Sequence, residues 1–153
     1  MTEKPEWLTV YGAVTDPEAC RAVLIQWLKC RTREELAPWL SRLAGEKGFL
    51  YNEVLVRGQK TRWASCSSKG TISLSYKLLF LDRDSVRCIL LHELCHTIVM
   101  NHSLRFWTLL QGVEPNCRVI RKQMRDGWKH LPAWLECRSV RRPSGIGFGR
   151  PLD

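Results

Sequence analysis

The stretch from Val86 to Met100 constrains this chain more than any other, because it is apolar on nearly every side. Ile89, Leu90, Leu91, Leu94, Ile98 and Val99 leave no polar face on the helix it predicts. A helix that is apolar all round has to be enclosed by the rest of the chain. Asp82 to Ser85 offer caps before it, and Asn101 and His102 interrupt it afterwards. His92, Glu93 and His96 sit inside this apolar run. Burying two imidazoles and a carboxyl without partners is costly, and a ligand shared by all three removes the cost.

The spacing says what the ligand is. Residues four apart lie one turn apart on one helix face, so His92 and His96 can grip a single ion. Glu93 is offset by about 100°, beside the ion and not on it. That position suits a general base acting on water activated by zinc, and the chemistry it implies is metal-assisted hydrolysis. Catalytic zinc takes three protein ligands. His102, six residues after His96 and just past the helix end, is the leading third candidate. His130, the remaining histidine, reads as a surface residue. Cys88 lies about 12 Å along the axis from His96, so one ion cannot bridge it together with His92 and His96. Cys95 reads as core. His92, His96 and His102 match the metzincin signature HExxHxxGxxH in register, but Val99 occupies its glycine position and no Met-turn follows, which argues against that family.

The flanking regions predict helices around a small sheet. Asp16 caps a helix that Pro17 begins. Thr32-Arg33-Glu34-Glu35 has the form of a capping box. Pro38 predicts either one bent helix or two short ones, and Gly48 a stop. Strands are expected at Glu53–Arg57, Thr61–Cys66 and Thr71–Tyr76, with Ser67-Ser68-Lys69-Gly70 as a turn, forming a small antiparallel sheet. Two helices follow, Leu104 to about Gln111 and Asn116 to about Trp128. The 153 residues fit one domain, taken as residues 1–137, with 138–153 a disordered basic tail. The N-terminus lacks an apolar secretory region, and no apolar run approaches membrane-spanning length. The seven cysteines are odd in number and form no CxxC pair, so reduced thiols in a cytoplasmic protein are expected. The net charge of +9 suggests an acidic partner surface, with DNA the obvious example, or simply a solvated basic face.

Four segments in order carry a family resemblance: Arg62-Trp63-Ala64-Ser65-Cys66-Ser67, then Gly70 to Leu74, then His92-Glu93-Leu94-Cys95-His96, then Asn101 to Trp107. Together they resemble the YgjP-like metallopeptidase domain, a relative of the SprT/Spartan and WLM zincins, over roughly residues 50 to 130. Ala64 stands where that family usually has glycine. The resemblance implies an α+β, minimal gluzincin-like zincin fold, with helices on a small antiparallel sheet and the HExxH helix buried. It implies one zinc ion held by His92, His96 and His102, with Glu93 catalytic. It also implies that an edge strand, from Arg62–Ser65 or Thr71–Ser75, pairs with extended substrate. Arg62, Trp63, Ala64 and Tyr76 are the candidate substrate-binding residues, although Trp63 reads more readily as core. Tyr76, Arg62 and His130 are candidate oxyanion stabilisers by residue type alone. Phe106 and Trp107 would orient His102.

The expected function is therefore a zinc-dependent hydrolase of protein or peptide substrates. The alternatives are a SprT-like protease acting on DNA-associated proteins, or a hydrolase of a non-peptide substrate such as a nucleotide. A metal-binding protein without catalysis would have no use for Glu93.

Overall fold

In a computed structural model, which describes Gly12, residues 15–124 and residues 126–136, the elements run in the order α1 (Pro17–Lys47), β1 (Glu53–Arg57), β2 (Ala64–Cys66), β3 (Thr71–Ser75), α2 (Arg83–His96), α3 (Leu104–Val113), α4 (Cys117–Met124) and α5 (Ala133–Glu136). Short 3-10 turns at Tyr76–Phe80 and Gly127–His130 join them. The expected basic tail after residue 137 lies outside the described residues. No helix among the described residues is long and apolar enough to cross a membrane.

Local chemistry explains most boundaries. The Asp16 carboxylate accepts from the Glu18 and Ala19 amides at 3.0 and 3.2 Å, starting α1. Gly48 stops it in a left-handed conformation, φ 73°, with its N–H donating to the Ala44 carbonyl. Between these caps α1 is a single helix that continues through Pro38. The expected capping box at Thr32 is mid-helix instead. Thr32 is fully buried, and its hydroxyl donates to the Leu28 carbonyl at 2.7 Å, the back-bonding available to a threonine inside a helix. Helix α2 begins on the Asp82 carboxylate, which accepts from the Ser85 amide and hydroxyl at 2.8 and 2.7 Å. It ends at His96, short of the expected Met100. The β-branched run Thr97-Ile98-Val99 is poor helix material, and the Thr97 hydroxyl donates back to the Leu94 carbonyl at 2.7 Å.

The α+β class holds, but the sheet is mixed, not antiparallel throughout. Its order is β1-β3-β2, with β1 parallel to β3 and β2 antiparallel to it. The chain crosses from β1 to the far side of β3's position, reverses in β2 and returns as β3. Strand β3 is therefore central, and Thr71–Ser75 cannot be the substrate-pairing edge; β1 and β2 are the edges. Helix α2 packs on β2, α1, α3 and α4, and most of its residues are buried. A second, smaller core cluster of Leu28, Tyr76 and Leu135 joins α1 to α5, where Arg21 donates to the Trp134 and Leu135 carbonyls at 2.9 Å.

Cys88 and Cys117 form a disulfide, which corrects the expectation of thiols throughout. The two residues are 29 apart in sequence, so no local motif announces the pair; packing of α2 against α4 brings their Cα atoms to 5.5 Å. Cys30, Cys66 and Cys95 are not bridged. The bridge also removes the argument from reduced thiols to a reducing compartment.

Candidate metal centre and its cleft

His92 and His96 project from one face of α2, and the chain turns at residues 97–101 to present His102 just before α3. The three Nε2 atoms converge: His96 to His92 is 3.1 Å, His96 to His102 3.1 Å and His102 to His92 3.2 Å. Ligand nitrogens about 2.0–2.1 Å from a tetrahedral zinc would lie about 3.3 Å from one another, so the spacing fits such an ion. The tautomer fits as well. The His96 Nδ1–H donates to the Val99 carbonyl at 3.1 Å, which leaves the Nε2 lone pair pointing into the trio. Burial, with His96, His102 and Arg121 nearby, pushes the His92 imidazole down to about 3. Burial likewise lowers His96, against the opposing backbone contacts at Val99 and Met100. Neutral imidazoles are the ligand form.

The trio rests on aromatic rings. Phe106 is fully buried, with its ring centroid 4.9, 4.5 and 4.8 Å from those of His92, His96 and His102. Trp107 stacks on His102 at 5.5 Å, and its indole N–H donates to the His102 carbonyl at 3.1 Å. Both aromatics thus hold the third histidine from α3.

Glu93 is buried next to His92 and lines a small, partly open cleft with it. Burial pushes the Glu93 carboxyl up to about 8, and the charge of Arg62 acts in the opposite direction. Cys66 feels the Glu93 charge too; burial first and Glu93 second push its thiol up to about 11. Trp63, Ala64, Ile89 and Met124 supply most of the apolar wall, and Arg121 the cationic one.

The candidate substrate residues separate. Trp63 and Ala64 line the cleft, and both are buried. Trp63 is also core: it stacks on Trp128 at 4.0 Å, and a Cβ at Gly127 would sit 3.2 Å from its ring. Arg62 is exposed but close enough to influence Glu93. Tyr76 does not line the cleft. Beyond β3 the 3-10 turn packs against α1, and the Tyr76 ring joins the second core cluster. His130 is exposed and outside the histidine trio. Arg121 and Met124 escaped the sequence reading because helix α4 reads as an ordinary basic helix; only the tertiary contact with α2 brings it to the cleft.

A family model for the YgjP-like metallopeptidase domain matches residues 3–127. No curated protein matches. Among solved structures, the abylysin metallopeptidase zymogen of Pyrococcus abyssi is similar at a TM-score of 0.53 and 28% identity, covering 60% of this chain and 92% of that one. The jannalysin metallopeptidase zymogen of Methanocaldococcus jannaschii, at TM-score 0.54 and 19% identity over 61% of this chain and 97% of its own, shares the fold.

Proposed function

This chain belongs to the YgjP-like metallopeptidase family, and from that premise we propose that it is a zinc peptidase in which His92, His96 and His102 hold the ion and Glu93 is the general base. The observation that carries this reading is the convergence of three Nε2 atoms within 3.2 Å of one another beside a buried carboxyl in a cleft. Zinc bound there supplies Lewis acidity, polarising the scissile carbonyl and lowering the pKa of water.

The chain's own residues do the rest. The Val99 carbonyl and the Phe106 and Trp107 rings fix the ligand set in one orientation. Glu93, one residue along the helix from His92, accepts a proton at its carboxylate and returns it to the leaving amine. Burial favours the protonated carboxyl, and the charge of Arg62 acts against it, toward the ionised form that can accept the proton. Strand β2 is an edge strand and Ala64 lines the cleft, so extended substrate backbone pairs along β2. Family membership favours a peptide over a nucleotide as substrate. DNA-associated protein substrates rest on the likeness to SprT and on the net charge of +9 and rank second; steeply salt-dependent DNA binding would raise them.

Glu93→Gln tests the reading. It should retain one metal ion per chain by elemental analysis and lose peptide hydrolysis by roughly 10²–10⁴-fold or more. Undiminished hydrolysis by that variant would end the assignment of Glu93.

A further inference from the structure

Strand β2 is the edge that the peptidase reading gives to the substrate, and its own ladder is short. It pairs with β3 through three residues, Ala64 with Leu74, Ser65 with Ser73 and Cys66 with Ile72. Strand pairs this short depend on packing from outside the ladder for a fixed position. One end is closed by the turn at residues 67–70. There the Ser67 N–H donates to the Thr71 carbonyl and the Gly70 N–H to the Ser67 carbonyl, both at 2.9 Å. The other end, where β2 begins and β3 finishes, is closed from a distant part of the chain.

At that end the Ser75 N–H donates to the Trp63 carbonyl at 2.9 Å. The Trp63 ring stacks on Trp128, with centroids 4.0 Å apart and 21° between the ring planes. The ammonium of Lys77, two residues beyond β3, lies over the Trp128 ring at 5.1 Å. The Trp128 indole therefore packs against both the residue that leads into β2 and one that follows β3, by stacking on one and cation–π attraction to the other. Trp128 comes from the 3-10 turn Gly127–His130, which is closed by the Lys129 N–H on the Asp126 carbonyl at 3.0 Å. Gly127 lets that turn approach, since a Cβ there would meet the Trp63 ring at 3.2 Å. Trp63 and Ala64 line the cleft beside His92 and Glu93, whereas Trp128 does not. The end of β2 that reaches the site is thus the end that Trp128 packs against.

We propose that Trp128 is a positioning residue for the substrate: by clamping Trp63 at the open end of the β2–β3 ladder, it fixes the edge strand along which an extended peptide pairs. The inference rests on the peptidase reading and concerns how that site holds extended substrate.

Peptide kinetics on the metal-loaded protein, run well below the melting temperature of every variant, test it. For peptides long enough to run along β2, Trp128→Ala should raise KM roughly tenfold and leave kcat nearly unchanged. Short peptides that span only the cleaved bond should be much less affected. Trp128→Phe keeps an aromatic face and should recover most of the loss. Leu135→Ala opens the second core cluster without touching the stack, and it should leave KM at the wild-type value. If Trp128→Ala does not fold, Trp128→Leu, which fills space without a stacking face, takes its place. Two indoles stacked this closely couple their transitions, so the far-ultraviolet circular dichroism of the wild type should carry an exciton couplet that Trp128→Phe lacks. A spectrum unchanged by Trp128→Phe would overturn the stack. An equal rise of KM in Leu135→Ala, or an equal loss for short and long peptides, would overturn the positioning role and leave the peptidase reading standing. Isothermal titration separates the two readings: an extended peptide that the wild type binds without cutting, and that Trp128→Ala binds more weakly, would sink the peptidase reading and uphold the clamp.

Discussion

Helices α1 and α2 differ in how they treat buried polar groups, and the difference separates scaffold from site. Helix α1 has 31 residues and buries a single stripe, Leu28, Thr32, Leu36, Leu40, Leu43 and Ala44. Its one buried polar side chain, Thr32, is satisfied inside the helix by the Leu28 carbonyl. Helix α2 has 14 residues and buries eleven of them, among them His92, Glu93 and His96. There the protein satisfies one ring nitrogen of His96 through Val99 and aims the other at two more imidazoles. Three lone pairs facing one point are unfavourable until a cation stands between them. A buried polar group that the chain satisfies is structural; a set that it leaves converging is a binding site.

The contrast can be broken most severely at the trio. His96→Ala should abolish metal binding and lower kcat/KM by more than about 10³-fold, because it removes a ligand and with it the activated water. Retention of metal and activity in that variant would erase the distinction between the helices. A metal-linked readout sharpens it: chelation should lower the melting temperature of the wild type, by the linkage of folding to a ligand bound only by the native state, and leave His96→Ala unmoved.

The disulfide ranks next. Cys117→Ser should cost roughly 3–4 kcal/mol in denaturant unfolding, the chain-entropy value for a loop of this length, and it should loosen α4 on the site side while leaving the α1 stripe intact. Hydrogen exchange showing equal loosening in α1 would contradict the division.

Asp16→Ala at the start of α1 and Asp82→Ala at the start of α2 each remove a helix cap and should cost about 1 kcal/mol at neutral pH. Asp82 adds a pH signature. Its hydrogen bonds to the Ser85 side chain and then the Ser85 amide hold its carboxyl below the ordinary carboxylate range. A depressed folded value stabilises the protein above the unfolded value and is lost as pH falls through the folded one. The gap between wild type and Asp82→Ala should therefore close in strong acid and persist from weakly acid to neutral pH; a gap that closed at neutral pH would contradict it. The smallest effect belongs to Thr32→Val, under about 1 kcal/mol, since the Leu28 carbonyl keeps its helical bond when the hydroxyl goes.

Much of this was legible in the residues. Asp16, Pro17 and Gly48 mark the ends of α1 because capping is local chemistry, and the apolar run through His92 to His96 announces a buried helix with a ligand face. The distance from His96 and the chain break at Asn101 point to His102, and its ring lies beside the other two imidazoles. What stayed hidden depends on tertiary contacts. The parallel pairing of β1 with β3 follows from a crossover that no local pattern encodes. Thr32 looked like a cap because Ser and Thr favour caps, and only its enclosure against the core shows the hydroxyl turned inward. Cys88 and Cys117 carry no spacing signal, and Arg121 reaches the cleft only because their helices pack together. Tyr76 was misplaced because the strand ends at Ser75 and the next turn carries the ring toward α1.

The central claim concerns where one ion sits. Anomalous diffraction at the zinc edge, from crystals of the metal-loaded protein, tests it directly. The account predicts a single peak about 2.0–2.1 Å from the Nε2 atoms of His92, His96 and His102, with Glu93 beside it and outside the coordination sphere. A peak that omits His102, takes Glu93 as a ligand or lies elsewhere in the chain would contradict it.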